Sequence, residues 1–190
     1  MTAAEPAGRI DVGHVARLQN LAHATYAETT RPLAKKSDIK MRDLLTTERD
    51  SRLQVMLKDG SSLQLGESAE LLVDNFVYTP QQERAVTLNA LKGALRYISG
   101  KMRQTTRQDV KIKTPVLNLG VRGTDFWLGP IDGATGVLVL TGKVLVSTRY
   151  GLVSLRRGEG TMVKDDGTLT LPKPWGEDKK RRALEMVELP

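Results

Sequence analysis

The chain contains no cysteine. That excludes a disulfide framework, a thiolate nucleophile and a cysteine zinc site, while leaving the compartment open, since cytosolic proteins and envelope proteins that fold without oxidation both do without it. Histidine is nearly as scarce. His14 and His23 stand near the N-terminus with no other candidate ligands clustered beside them, so no metal is expected. Aromatic residues make up 4% of the chain, so its core must be built from aliphatic side chains. No stretch reaches the ~20 apolar residues of a membrane-spanning helix. Residues 1–9 (MTAAEPAGR) also lack the apolar run of a secretion signal.

What is present is ordinary for a globular protein: 39% hydrophobic and 27% charged residues. A chain of 190 residues buries roughly 70% of the surface its unfolded form exposes, enough for a core without metal or crosslinks. Lys and Arg number 29 against 22 Asp and Glu, a net charge of +7. Such a balance suits nucleic acid, an anionic envelope surface or an acidic partner.

Strand signals dominate from Arg52 onward. Leu53, Val55 and Leu57 alternate with Arg52, Gln54 and Lys58, a period of two that sends one face to a core and the other to water. Met56 interrupts the polar side, as a partly covered outer face would require. Asp59-Gly60 then supplies a tight turn. The same grammar recurs around Leu63 and Leu65, Leu71 and Val73, Val110 and Ile112, Leu117 to Val121, Val144 and Val146, and Leu152 to Leu155. Val137 to Leu140 is continuously apolar, which predicts burial on both faces. Short strands between Gly or Asp-Gly turns indicate an all-β sandwich, barrel or solenoid, and the weak β-turn-β repetition leaves a quasi-solenoid and an irregular sandwich both open. The segment Val12 to Tyr26 reads as two short strands. Only Glu177 to Val187, after Pro172 and Pro174, reads as helix. Asp178 suits the positive end of its dipole and the basic run Lys179 to Arg182 does not.

The densest polar cluster is Val121-Arg122-Gly123-Thr124-Asp125-Phe126-Trp127. A hydrolase centred on Asp125 with Glu159 would need a base and an orienting group within reach, and no histidine lies near. The pattern is better read as a strand-turn-strand corner: Gly123 bends, Thr124 or Asp125 bonds local backbone, Phe126 enters the core, and Arg122 pairs with a carboxylate such as Asp125. Gly158-Glu159-Gly160 lacks the Gly-Lys-Ser/Thr of a phosphate loop, so no nucleotide or other cofactor is expected. The basic residues fall into groups. Lys35, Lys36, Lys40 and Arg42 form one; Lys101, Arg103, Arg107, Lys111 and Lys113 a second; Arg156-Arg157 a third; Lys179, Lys180, Arg181 and Arg182 the tightest. Nucleic-acid readers add stacking aromatics or a groove-reading helix. Neither accompanies these groups, so an envelope-facing or solvated face is the better reading.

Several motifs, in order and spacing, resemble a FecR domain. They are the hairpin Ser51 to Gly66 (SRLQVMLKDGSSLQLG), then Ile112-Lys113-Thr114-Pro115, then Leu119 to Phe126 (LGVRGTDF), then Gly142-Lys143-Val144 and the closing Gly158 to Gly160. Upstream, Leu33, Asp38, Ile39, Asp43, Leu44 and Thr46-Thr47 are similar to the family's lead-in, although Asn20, Glu28 and Lys36 stand where glycine is expected. The resemblance covers about Leu33 to Thr161. It implies an all-β, solenoid-like stack of short strands in the periplasm or on the envelope face of a bacterial protein. In the iron-uptake regulators of this family the domain relays a signal from an outer-membrane transporter. The anti-sigma segment, membrane helix and receptor-contacting domain of those regulators have no counterpart in this sequence, so only the domain itself is carried over.

These readings set the expectations. Residues 1–32 form an N-terminal extension of strands, 33–171 the FecR-like β domain, and 172–190 a basic helical tail. The resemblance implies a non-catalytic envelope module, periplasmic once a leader has been removed, that binds a protein or senses a signal. The alternatives are a homo-oligomeric structural module and a binder of glycan or another anionic envelope polymer. The motif positions Asp59, Gly60, Thr114, Pro115, Arg122, Gly123, Thr124, Asp125, Phe126 and Gly142 serve either structure or recognition by a β-surface, and the basic patches are Lys101, Arg103, Arg107, Lys111 and Lys113, and Lys179, Lys180, Arg181 and Arg182.

Overall fold

A computed structural model describes residues 8–80, 82–101 and 107–190, with the side chain of Arg107 outside the description. Its strands are β1 (Asp11–Gln19), β2 (Ala22–Tyr26), β3 (Thr29–Pro32), β4 (Asp38–Lys40), β5 (Leu44–Thr47), β6 (Arg52–Leu57), β7 (Ser62–Leu65) and β8 (Glu70–Thr79). They continue with β9 (Glu83–Lys92), β10 (Leu95–Ile98), β11 (Arg107–Lys113), β12 (Asn118–Ile131), β13 (Ala134–Thr148), β14 (Gly151–Arg156), β15 (Glu159–Val163) and β16 (Lys173–Pro174). One helix follows, α1 (Glu177–Glu185). The fold is therefore all-β with a short C-terminal helix.

The strands form a single hydrogen-bonded sheet in the order β3-β2-β5-β8-β9-β11-β12-β10-β7-β6-β1-β4, with β13, β14, β15 and β16 branching from β12. The two halves of this path meet at β12. Its first half pairs with β11 and its second half with β10. The 15-residue β13 runs beside it along both halves. Among the described residues every strand pair except β9–β11 is antiparallel. Stacked solenoid coils repeat one unit upon the next. The order here instead describes a sheet curled into a half-barrel, and it does not support the expected solenoid.

The chain crosses repeatedly between the halves of the path, and six of the crossing turns hold a residue of positive φ: Asn20, Lys36, Arg42, Asp50, Ser68 and Gly93. A left-handed residue carries strain for a side chain bulkier than Asn or Gly. Asn20 and Lys36 thus occupy the backbone state that made glycine the expected residue. At the third such position it is Ala27, not Glu28, that takes the positive φ.

Alternation then fills the interior. In β6, Leu53, Val55 and Leu57 are buried, while Arg52, Gln54 and Met56 lie half-buried on the outer side. Facing residues from both halves, among them Val15, Leu45, Leu71, Leu88, Ile112, Phe126 and Val139, make one core. It is nearly all aliphatic, with Tyr97 and Phe126 in tilted contact at 6.0 Å between ring centres. Both tryptophans lie elsewhere. Trp127 points outward from β12 and meets Trp175 edge-on at 6.2 Å, and Ala183 and Val187 close this second cluster from the α1 side. That cover explains why Val137, Leu138 and Val139 are buried on both faces of β13. No helix among the described residues is long and apolar enough to cross a membrane.

Candidate interaction surface

The polar signature of β12 is a corner. β12 and β13 are joined by Asp132-Gly133, both of positive φ, the type I′ geometry favoured in two-residue hairpin turns. The ladder they start is broken by bulges between Arg122 and Phe126, where the two halves of the sheet diverge. Gly123 and Gly142 face each other at the break. A Cβ on Gly142 would lie 2.4 Å from the Gly123 carbonyl oxygen, so the approach admits glycine alone. Thr124 accepts at its carbonyl from Ser99 N (2.8 Å) and donates its N–H to Ser99 Oγ (3.1 Å). Phe126 is fully buried.

Asp125 takes a different partner from the one expected. Arg96, across β10, grips it with Nε at 2.8 Å and Nη2 at 2.7 Å, and this carboxylate raises the Arg96 pKa further. Arg122 instead projects outward and is exposed. Glu159, the other carboxylate of the hydrolase reading, accepts from the backbone N of Arg156 at 2.9 Å. Both acids are thus engaged in holding turns and strands.

The Asp59-Gly60 turn covers a polar cluster that the sequence did not announce. Asp59 Oδ1 accepts from Ser61 N (2.9 Å) and Oδ2 from Ser61 Oγ (3.0 Å). Arg84 Nε lies 2.7 Å from Asp59 Oδ2, with both side chains 0% exposed. This contact is an ion pair by distance but not by hydrogen-bond alignment, and Arg84 Nη1 is likewise unsatisfied. Nη2 reaches the carbonyls of Asp59 and Gly100 at 3.3 and 3.4 Å. Tyr97 donates to Ser61 Oγ at 2.9 Å, and burial, reinforced by the charge of Asp59, pushes the phenol up to about 12. Residues 16 to 36 positions apart cannot be paired by reading one strand at a time.

Thr114 and Pro115 begin the β11–β12 connection. Thr114 Oγ1 accepts from Val116 N (3.2 Å) and Leu117 N (3.0 Å), a local turn. The turn borders a half-open groove of about 500 Å³ whose walls include Leu91, Lys92, Leu128 and Pro130. Among the described residues, no group of three or more His, Asp and Glu side chains is placed to hold a metal.

The basic groups separate sharply in their surroundings. Every member of the Lys179–Arg182 run has a carboxylate: Lys179 and Arg182 hold Asp132 (2.9 and 2.8 Å), Lys180 holds Glu177 (2.8 Å), and Arg181 holds Asp178 and Glu185 (2.5 and 3.0 Å). Arg182 and Lys179 pull Asp132 down to about 2. Lys179 also sits 4.4 Å above the Trp175 ring. The run fastens the helix to the β12–β13 turn.

Of the second group, Lys101 is exposed, Arg103 lies outside the described residues, and Arg107 is placed by its backbone alone. Lys111 and Lys113 project from the outer face of β11, where Lys111 meets Asp109 at 3.0 Å. They share that face with residues far away in sequence. Across the ladder, Arg122 stands opposite Lys143 and Lys143 opposite Arg156. The next row is Lys111, Gly120, Leu145 and Ser154, and the next Lys113, Asn118, Ser147 and Leu152. Lys113, Arg122, Lys143 and Arg156 are exposed and have no carboxylate partner among the described residues. Lys143 was not singled out in the sequence. Its signal was there, as the outward residue beside inward Val144.

Comparison with known proteins agrees with this architecture. The family model described as FecR protein matches residues 43–145. No curated protein matches. Two crystal structures of a proposed anti-sigma factor from Parabacteroides distasonis ATCC 8503, at 1.65 and 2.50 Å resolution, share the fold with TM-scores of 0.57 and 0.59 and 20% sequence identity. Each match covers 74% of this chain but only 64% or 63% of the other, so the chain spans under two thirds of those structures. With the hairpin, the β12 corner and the Gly142 strand all inside the matched span, the chain belongs to the FecR protein family.

Proposed function

We propose that this protein is a non-catalytic, signal-sensing module of the bacterial cell envelope, located in the periplasm, that works by binding another protein. The observation that carries the reading is the outer face of β11–β14. Like charges placed directly opposite one another across a ladder destabilise a sheet. The row Arg122, Lys143 and Arg156 does just that in the open, without carboxylates among the described residues to neutralise it. A fold that keeps such a row gains from it only when a negative surface arrives. Family membership and the regulatory description of the structural neighbour support the same reading.

The test uses Arg122→Glu with Lys143→Glu in the full chain, immobilised against envelope extract at low and high salt. A protein retained by the wild type, and lost both on charge reversal and at high salt, is the expected result. Retention that ignores both changes refutes the face as the binding surface. A retained species that survives protease treatment would instead favour the glycan or anionic-polymer reading. Sedimentation of the wild type alone tests the homo-oligomeric alternative.

A further inference from the structure

We propose that β14 is a docking edge onto which an extended, acidic segment of the partner adds as a new strand. This inference rests on the basic face being the binding surface and specifies what binds there.

Among the described residues, four strands have a single partner in the sheet: β3, β4, β14 and β16. Unpaired edges invite other chains, and proteins blunt them by shortness, proline or bulges. Three of the four are blunted in this way. β3 is four residues long and ends in Pro32, β4 has three residues, and β16 has two with Pro174. The end of β8 that overhangs β5 begins at a bulge between Val73 and Asn75. β14 is six residues long, paired in unbroken register to β13, and free of proline.

The direction of its free backbone groups follows from one hydrogen bond. Arg156 N donates to the Glu159 carboxylate, so it points away from β13. By the two-residue period of an antiparallel ladder, the N–H and C=O of Ser154 and Leu152 point the same way. Ser154 Oγ is itself shielded from solvent without a hydrogen-bond partner. Beside this edge, Leu152 (64% exposed) and Leu145 (41% exposed) offer apolar contact on the outer face.

The charges around the edge choose the occupant. Lys143, Arg156 and Arg157 are exposed there. Glu159 is occupied at Arg156 N, and Asp109 is held by Lys111. A second copy would set Arg156 and Lys143 against their own kind. A nucleic acid or other polyanion would satisfy the cations but leave the backbone edge unpaired. An extended polypeptide can pair with the edge while acidic residues on its outer face meet Lys143 and Arg156.

The probe is a (Glu-Val)4 peptide titrated into the full chain, followed by amide hydrogen exchange. Binding that protects the Leu152 and Ser154 amides is expected. Methylating alternate backbone nitrogens of the peptide, or the substitution Arg156→Glu, should weaken it by about tenfold or more. Folding of the variant is checked by thermal melting, and the methylated peptide tests the wild type directly. Equal binding of the methylated peptide, or salt-sensitive binding that leaves both amides unprotected, overturns strand addition while leaving the basic face standing. Concentration-dependent dimerisation that protects these amides without peptide also overturns it, as does an oligo-dT that binds more tightly than the peptide. Absence of peptide binding, together with partner retention that ignores Arg122→Glu and Lys143→Glu, overturns both readings.

Discussion

The ion pair between Asp59 and Arg84 makes the sharpest prediction about the fold. Both side chains are 0% exposed, so neutralising one leaves the other as an uncompensated charge in the interior. Asp59→Asn keeps a side-chain oxygen for the Ser61 N–H but removes the charge. Breaking a buried pair in this way costs about 3–5 kcal/mol. A domain holds only about 5–15 kcal/mol in total. At about 2–4 °C per kcal/mol for a chain of this size, the melting temperature should fall by about 6–20 °C. Arg84→Met should cost a similar amount, because Asp59 is then the orphan. The double variant decides between charge and packing. With both charges gone and Met filling the Arg84 volume, Asp59→Asn with Arg84→Met should be more stable than either single variant. The imperfect satisfaction of Arg84, with Nη1 unpartnered and two long contacts to carbonyls, keeps the pair's net worth low and favours that recovery. Urea denaturation of the four proteins gives the cycle. A loss below about 1 kcal/mol for Asp59→Asn, or costs that add in the double variant, would refute the reasoning.

Gly142→Ala should destabilise by about 1–3 kcal/mol, since it places a side chain at φ +80 against the Gly123 carbonyl, and thermal melting reads the loss. Asp125→Asn should weaken the two charge-assisted bonds from Arg96 and cost about 1–3 kcal/mol without unfolding the chain, seen as a lower urea midpoint with an unchanged slope. Tyr97 is raised in the fold to about 12 from an ordinary value of 10.0, so the unfolded chain loses its proton first. Its contribution to stability is therefore complete below pH 10 and disappears as the pH rises towards 12; denaturation midpoints across that window, and a late phase in the ultraviolet tyrosine titration, check this. Asp132 is depressed from 3.8 to about 2 in the fold, so its support for helix docking holds above the ordinary value and is lost as pH falls through that range, which tryptophan fluorescence of Trp127 and Trp175 should follow.

The alternation of Leu53, Val55 and Leu57, and the apolar run Val137 to Leu140, declared strands because burial of a β-strand depends only on neighbours two residues away. Glu177 to Val187 declared a helix for the same local reason. What remained hidden depends on register. Asp125 meets Arg96 only because β10 lies against the second half of β12, a pairing no local pattern encodes. Arg84 alternates in phase with the buried Val86 and Leu88, yet no local pattern tells that the Asp59 turn lies over it. Charge density misled in the other direction. Lys179 to Arg182 is the tightest basic run, yet helical spacing and the Asp132 turn bring a carboxylate to each member. The sparser Arg122, Lys143 and Arg156 become a row through three adjacent strands. The crossing turns were also hard to place, since left-handed residues such as Lys36 and Arg42 carry no glycine to mark them.

The strand order has a consequence for how the molecule is made. The strands nearest the N-terminus, β1 to β4, occupy the two ends of the sheet, whereas its middle is β12, which comes late in the chain. A ribosome or translocation channel therefore delivers the flanks before the centre. Until β12 and β13 emerge, β11 and β10 each present a raw backbone edge, and the two half-sheets have no shared strand to hold them over a common core. The growing chain is an unclosed book whose spine arrives last, and its most adhesive state is the one just before that hairpin appears.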